Sequence, residues 1–338
     1  MSAAHATLVI GPAWVGDMVM AQSLFLRIRE RRPETAIDVM APAWTFPLLE
    51  RMPQVRNALP MPLTHGQLQL GDRWRLGKAL RGRYEQAIVL PNSLKSAIAP
   101  FAADIPKRTG FVGELRYGLL NDIRRLDKNA LPKTVLRFLH LADPPGCAPP
   151  EIIPQPNLRV SNTSVSEALN AHALSVDHSP ILALCPGAEY GPAKRWPARH
   201  FARVAQHHLN NGGQVWLFGS EKDRPVTAEI IEYAADCRDL AGKTSLSQAI
   251  DLLSLADRII SNDSGLMHVA AALNRPLMAM YGSSDPGFTP PLNDNHQILS
   301  LGLQCSPCFQ RSCPLGHTHC LNQLRPERVI QWLEQTTP

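Results

Sequence analysis

Twice along this chain an apolar run ends in a short Gly/Pro loop and passes directly into a helix-like stretch. Thr7–Ile10 leads through Gly11-Pro12, and Ile181–Cys185 leads through Pro186-Gly187. Each time, further strand and helix runs alternate behind it. Such alternation places helices on the faces of a parallel sheet, because parallel strands need long crossover connections. Ala36–Met40 and Ala87–Leu90 continue the first half as strands, with helices expected near 17–31, 74–82, 93–99 and 131–142. Gln214–Phe218, Arg258–Ile260 and Leu277–Tyr281 continue the second, with helices near 198–210, 223–236, 246–256 and 265–273. The expected class is α/β: two Rossmann-like, doubly wound parallel-sheet domains with ligands in a cleft at the C-terminal strand ends.

The expected boundaries are 1–175 for the first domain and 176–325 for the second. Residues 326–338 form an amphipathic helix, with Val329, Ile330 and Leu333 on one face, that could pack back on the first domain. Six prolines between Pro144 and Pro156 mark a stiff connector. No apolar run approaches the roughly 20 residues needed to cross a bilayer. The N-terminus has no basic start and is interrupted by Asp17, so no signal peptide is expected and the location should be cytoplasmic.

Charge is uneven. Residues 1–150 hold 20 Lys+Arg against 12 Asp+Glu, a net of +8, whereas 151–338 hold 14 against 17, a net of −3. A basic first half suggests an anionic partner: nucleic acid, a phosphorylated glycolipid or an anionic membrane face. Aromatics at 6% and the lack of any recognised binding motif argue against nucleic acid. Arg27, Arg29, Arg31 and Arg32 fit the solvated end of one helix. Arg73, Arg75, Lys78, Arg81 and Arg83 are left over, as are Lys107, Arg108, Arg116, Arg124 and Arg125.

Four loops carry chemistry. Arg258–Ile260 runs into Ser261-Asn262-Asp263-Ser264 and a helix from Gly265, with His268 one turn in. Asp263 and Ser264 are good N-cap types, and free N–H groups with a positive helix end suit a phosphate. Pro186-Gly187-Ala188 allows close backbone approach, and Lys194-Arg195 supplies cations for a leaving diphosphate. Glu221, after the next strand, could accept from ribose hydroxyls. The loop Gly11–Asp17 is neither a dinucleotide fingerprint nor a P-loop, because Asp17 stands where the phosphate-binding lysine would be. A carboxylate there suits proton acceptance, or simple N-terminal capping. D-x-D and H-E-x-x-H are absent, so phosphate charge is expected to be met by Lys194 and a helix end, with no metal and no cofactor.

Cys147, Cys185 and Cys237 are scattered, as in a reducing compartment. The other four follow Cys305-x2-Cys308-x4-Cys313-x6-Cys320, with His317 and His319 between the last two. The first step is zinc-like but the later spacings match no standard finger, so reduced thiols in a packed loop are expected.

Taken together, Gly16-Asp17, Lys194-Arg195-Trp196-Pro197, Asp263-Ser264-Gly265-x-x-His268 and Tyr281-Gly282-x-x-Asp285-Pro286 resemble glycosyltransferase family 9. These are the bacterial ADP-heptose heptosyltransferases of lipopolysaccharide core assembly. Leu90–Ala97, Arg108–Phe111, Arg116–Asp122 and the cysteine stretch are similar to the branch that adds the second heptose. The resemblance implies a GT-B fold in which the first domain binds the acceptor and the second binds ADP-heptose. It implies Asp17 as catalytic base and Lys194 facing the donor phosphates. It also places Glu221 near the donor ribose, and Asp263, Ser264, Gly265 and His268 on the phosphate side. Family members that add the first heptose carry paired threonines where this chain has Pro186-Gly187-Ala188, so backbone N–H groups of Gly187 and Ala188 would have to serve the donor. Gly16, Asn92, Ser93, Lys95 and Arg116 fall in the stretches that imply acceptor contacts. The implied reaction is an inverting displacement onto heptosyl-Kdo2-lipid A, by an enzyme peripheral to the inner membrane. A nucleotide-sugar epimerase of the same fold, or a non-enzymatic binder of phosphorylated glycans, remains an alternative.

Overall fold

The computed structural model describes residues 6–61 and 68–335. It divides into two compact units after Asn157. The first contains β1 (Ala6–Ile10), β2 (Ala36–Ala41), β3 (Val55–Pro60), β4 (Gln86–Val89), β5 (Lys107–Phe111) and β6 (Asp122–Arg124). They form one parallel sheet in the order β3-β2-β1-β4-β5-β6. The second contains β7 (Ile181–Cys185), β8 (Gln214–Leu217), β9 (Arg238–Asp239), β10 (Arg258–Asn262), β11 (Leu277–Met280) and β12 (His296–Leu299), ordered β12-β11-β10-β7-β8-β9. Both are the doubly wound order, whose direction of winding reverses beside the first strand. The reversal falls between β1 and β4 in one unit and between β7 and β10 in the other. The loops singled out in the sequence leave those four strand ends.

The central strands are mainly apolar and buried because helices cover both faces. β1 and β7 are buried at every position. The strands not expected from sequence are polar or very short. β5 reads Lys-Arg-Thr-Gly-Phe, and its Thr109 hydroxyl accepts from Gln86 Nε2 at 3.0 Å and donates to Asp122 Oδ2 at 2.9 Å. A polar chain across β4, β5 and β6 thus replaces apolar burial at that edge.

Two expected boundaries are corrected. Helix Asn162–Ala171 belongs to the second unit, so the division lies at 157/158 and not at 175/176. It packs on helix Leu246–Leu253, and the Leu158 N–H donates to Ala272 O at 2.9 Å. The connector before it is pinned to the first unit. Gln22 donates to Asn157 O at 2.8 Å and accepts from Asn157 N at 2.8 Å, while Ser23 donates to Pro154 O at 2.6 Å. The C-terminal helix Pro326–Gln335 also belongs to the second unit. Val329, Trp332 and Leu333 share a core with Phe201 and Leu217, and Arg203 pairs with Glu327 at 2.8 Å. Among the described residues no helix is long and apolar enough to cross a membrane.

Candidate active site

At the first unit's reversal, helix Val15–Arg31 starts directly after the β1 loop, with Trp14 as N-cap. Trp14 supplies no capping side chain, and Asp17 lies at the third helical position, half-buried in the first turn. Gly16 precedes it. Trp44, from the loop after β2, donates its Nε1–H to Ala13 O at 3.0 Å and so fixes the loop that leads to Asp17. Gly11 has no room for a side chain, since a Cβ would lie 2.8 Å from the Met18 methyl.

The β4 loop holds Asn92, Ser93 and Lys95. Arg116 organises it from within. Only 1% exposed, Arg116 donates from Nη1 to Pro91 O at 2.6 Å, Ser93 O at 3.3 Å and Ser96 Oγ at 3.0 Å. From Nη2 it donates to Phe111 O at 2.7 Å and to Asn92 Oδ1 at 3.3 Å. Burial pulls the guanidinium down to about 10, so it stays charged at neutral pH. Arg116, expected as an acceptor contact, is instead almost wholly buried, and its two Nη groups go to carbonyls and side chains of the surrounding loops. Much of the surplus positive charge has the same fate. Arg73, buried, donates to Leu68 O and Lys95 O; Arg108 donates to Leu119 O and Ile105 O; Arg124, buried, grips Asp122.

At the second unit's reversal, β10 delivers Asp263 and Ser264 to helix Gly265–Ala272. Ser264 is the N-cap but makes no capping hydrogen bond, so the first-turn N–H groups remain for a ligand. Lys194 reaches Asp263, with Nζ 2.5 Å from Oδ2, and lies over the Tyr190 ring at 5.1 Å. Asp263 is 4% exposed, so the pair is largely desolvated. His268 is buried beneath it. Burial first, then the nearby Lys194, lowers its pKa to about 4 against the opposing pull of Asp263. The imidazole is therefore neutral at pH 7 and contributes a hydrogen bond, not a charge.

Two residues to which the sequence reading gave no role, Asn262 and Asp223, hold this arrangement. Asn262, fully buried, accepts from the Trp196 N–H at 2.9 Å and donates to Pro186 O at 2.7 Å, tying the β7 loop to the β10 loop. Asp223 accepts from Ser220 N at 2.9 Å and Oγ at 2.8 Å beneath Gly187. A Cβ on Gly187 would lie 2.4 Å from the Asp223 carboxyl carbon, which is why the loop needs glycine there. Ser284, after β11, is buried with no hydroxyl partner among the described residues. Ala188 is buried at 2% exposure. Glu221 is exposed after β8 and pairs with Arg224 at 2.8 Å. A separate groove of about 660 Å³, lined by residues including Arg199, His207 and Glu334, contains none of these groups.

Comparison with known proteins agrees with this geometry. The model for "Glycosyltransferase family 9 (heptosyltransferase)" matches residues 73–319. The chain is 49% identical over 337 residues to lipopolysaccharide heptosyltransferase 2 of Escherichia coli K12, covering 96% of this chain and 97% of that one. It is 48% identical over 305 residues to lipooligosaccharide heptosyltransferase 2 of Haemophilus influenzae, covering 87% and 88%. The solved E. coli ADP-heptose LPS heptosyltransferase II superposes with a TM-score of 0.88 at 47% identity, covering 98% of each chain. Two doubly wound domains whose reversal points carry a carboxylate in one and a lysine-backed helix start in the other are thus the GT-B architecture expected from the sequence, and the chain belongs to glycosyltransferase family 9, the heptosyltransferases.

Proposed function

We propose that this enzyme transfers L-glycero-D-manno-heptose from ADP-heptose to heptose I of the lipopolysaccharide inner core, with inversion at the anomeric carbon. The observation that carries the donor assignment is the uncapped start of helix Gly265–Ala272 beside the Lys194–Asp263 pair. Backbone N–H groups of that first turn and the Lys194 ammonium meet the diphosphate, whose charge grows as the glycosidic bond breaks. Neutral His268 donates or accepts one hydrogen bond on the phosphate side. Glu221 exchanges Arg224 for a ribose hydroxyl. Gly187 and Ala188 offer N–H groups in place of hydroxyl side chains.

Asp17 takes the proton from the acceptor hydroxyl as that oxygen attacks. Its place in the first turn of the helix after β1 puts the carboxylate at the ligand-facing strand ends of the first sheet. The unit containing Asp17 binds heptosyl-Kdo2-lipid A through Gly16, Asn92, Ser93 and Lys95, with Arg116 shaping the loop. The unit ending at Pro338 binds the donor. A peripheral position on the cytoplasmic face of the inner membrane is supported by helix Leu70–Lys78, which exposes Leu70, Trp74, Arg75 and Lys78. Trp74 lies 6.1 Å from Phe101, and Arg108 sits over Phe101 at 5.4 Å, a mixed aromatic and cationic surface suited to headgroups. Flotation with anionic vesicles tests that placement: the wild type should rise with the lipid and Trp74→Ser should not.

A further inference from the structure

Four thiols in the second unit have no part in the proposed reaction, yet they converge. Cys305, Cys308, Cys313 and Cys320 line one small cavity of about 20 Å³ together with Ser283 and His317. All four are free cysteines. The Thr318 N–H donates to the Cys313 Sγ at 3.4 Å. The chain folds tightly around Cys313, with positive φ at Gly316 and Thr318. His317 lines the same cavity, and its Nδ1 accepts the His319 N–H at 3.0 Å.

We infer that Cys305, Cys308, Cys313 and Cys320 form a structural site for one thiophilic divalent cation, with Zn²⁺ the ion that best suits four thiolates. Among the described residues no three ligands are yet drawn to a common centre, so binding closes the set to metal–sulfur distances of about 2.3 Å and releases the remaining thiol protons. With four protein ligands the ion has no open position and takes no substrate. Its consequence is mechanical. The same segment carries the loop of Lys194: Ala193 N–H donates to Arg311 O at 3.0 Å, Tyr190 Oη to Phe309 O at 2.7 Å, and Phe309 N–H to Ser283 O at 2.7 Å. A Cβ on Gly191 would lie 2.4 Å from Arg311 O, so the two loops touch at backbone distance. Closing the thiol set therefore stiffens the support on which Lys194 stands.

The test is metal content of the full chain, prepared without a polyhistidine tag, by elemental mass spectrometry. About one zinc per chain is expected, kept in Cys147→Ser and lost in the Cys308→Ser/Cys313→Ser double variant. Because that variant could misfold, wild type stripped of metal is also titrated with Co²⁺, and the absorption of tetrahedral cobalt thiolate should appear and saturate at one equivalent. Wild type that binds neither Zn²⁺ nor Co²⁺, or metal retained in the double variant, overturns the inference. Since the readout is bound metal, it stands or falls separately from the proposed heptosyl transfer.

Discussion

Lys194 Nζ and Asp263 Oδ2 lie 2.5 Å apart, joining the loop after β7 to the loop after β10 across the point where the second sheet reverses its winding. The Asp263 side chain is nearly inaccessible, at 4% exposure, whereas the Lys194 side chain retains 18%. The lysine is thus held in place by the buried acid and keeps an accessible side for a phosphate. Lys194→Ala should weaken ADP binding roughly 10- to 100-fold, the loss of one or two charge-assisted hydrogen bonds. It should also destabilise the fold by about 3 kcal/mol, because the buried Asp263 loses its counter-charge. Lys194→Ala/Asp263→Asn should regain much of the stability and none of the affinity. Calorimetric ADP titration beside thermal unfolding reads both, and an unchanged ADP affinity in Lys194→Ala would place the diphosphate elsewhere.

Asp17→Asn keeps the shape of a first-turn residue and should cost less than about 1 kcal/mol of stability. Turnover should drop about 10²–10⁴-fold with donor affinity intact. A variant that keeps half the wild-type rate removes Asp17 from the role of base.

His268 couples stability to acid. Its pKa is about 4 in the folded chain against an ordinary value of 6.5, so the unfolded chain binds the extra proton. Stability from this group is complete above pH 6.5 and is lost as pH falls toward 4, a change of roughly 3 kcal/mol. Urea unfolding of wild type and His268→Asn at neutral and acid pH should show the variant losing less on acidification. Equal losses would mean that the imidazole is not held neutral.

Arg116 and Lys95 separate support from contact. Arg116→Ala removes the buried fork from Phe111 O, Pro91 O and Ser96 Oγ and should cost at least about 2 kcal/mol, with Arg116→Lys rescuing little because one ammonium cannot replace the fork. Lys95→Ala should leave stability unchanged and raise the acceptor KM, and that KM should rise with salt over a Debye length of about 8–10 Å. Steady-state acceptor titrations at two ionic strengths, paired with melting curves, distinguish these outcomes. An Arg116→Ala enzyme that melts like wild type and shows only a raised KM would return the arginine to the acceptor.

The central strands and the reversal loops were legible because burial on both faces writes apolar runs, as in β1 and β7. The edges were not. β5 is satisfied through Gln86, Thr109 and Asp122 hydrogen bonds, and a polar strand of that kind reads as a loop. The site residues Lys194, Asp263 and His268 stood out as charged or titratable types beside a helix start. Asn262 carries no such signal: it acts by bonding backbone far away in sequence, at Pro186 O, and the supporting role of Arg116 toward Pro91 O and Phe111 O was equally hidden. The same limit misled the charge count. A surplus of arginines in the first half looked like an exposed basic face, yet Arg73, Arg116 and Arg124 are buried and tie down carbonyls and carboxylates. Linear distance hid the two boundaries as well, since helix Asn162–Ala171 follows the proline-rich connector closely but packs with the second unit.

The central claim is transfer of heptose from a nucleotide donor to a heptose-bearing acceptor, and release of ADP tests it most directly. The chain is incubated with ADP-heptose, with and without heptosyl-Kdo2-lipid A, and free ADP and acceptor mass are followed together. The account predicts ADP formed in step with an acceptor heavier by one heptose, in wild type but hardly in Asp17→Asn. An altered sugar nucleotide without acceptor, or tight acceptor binding with no ADP released, would contradict it.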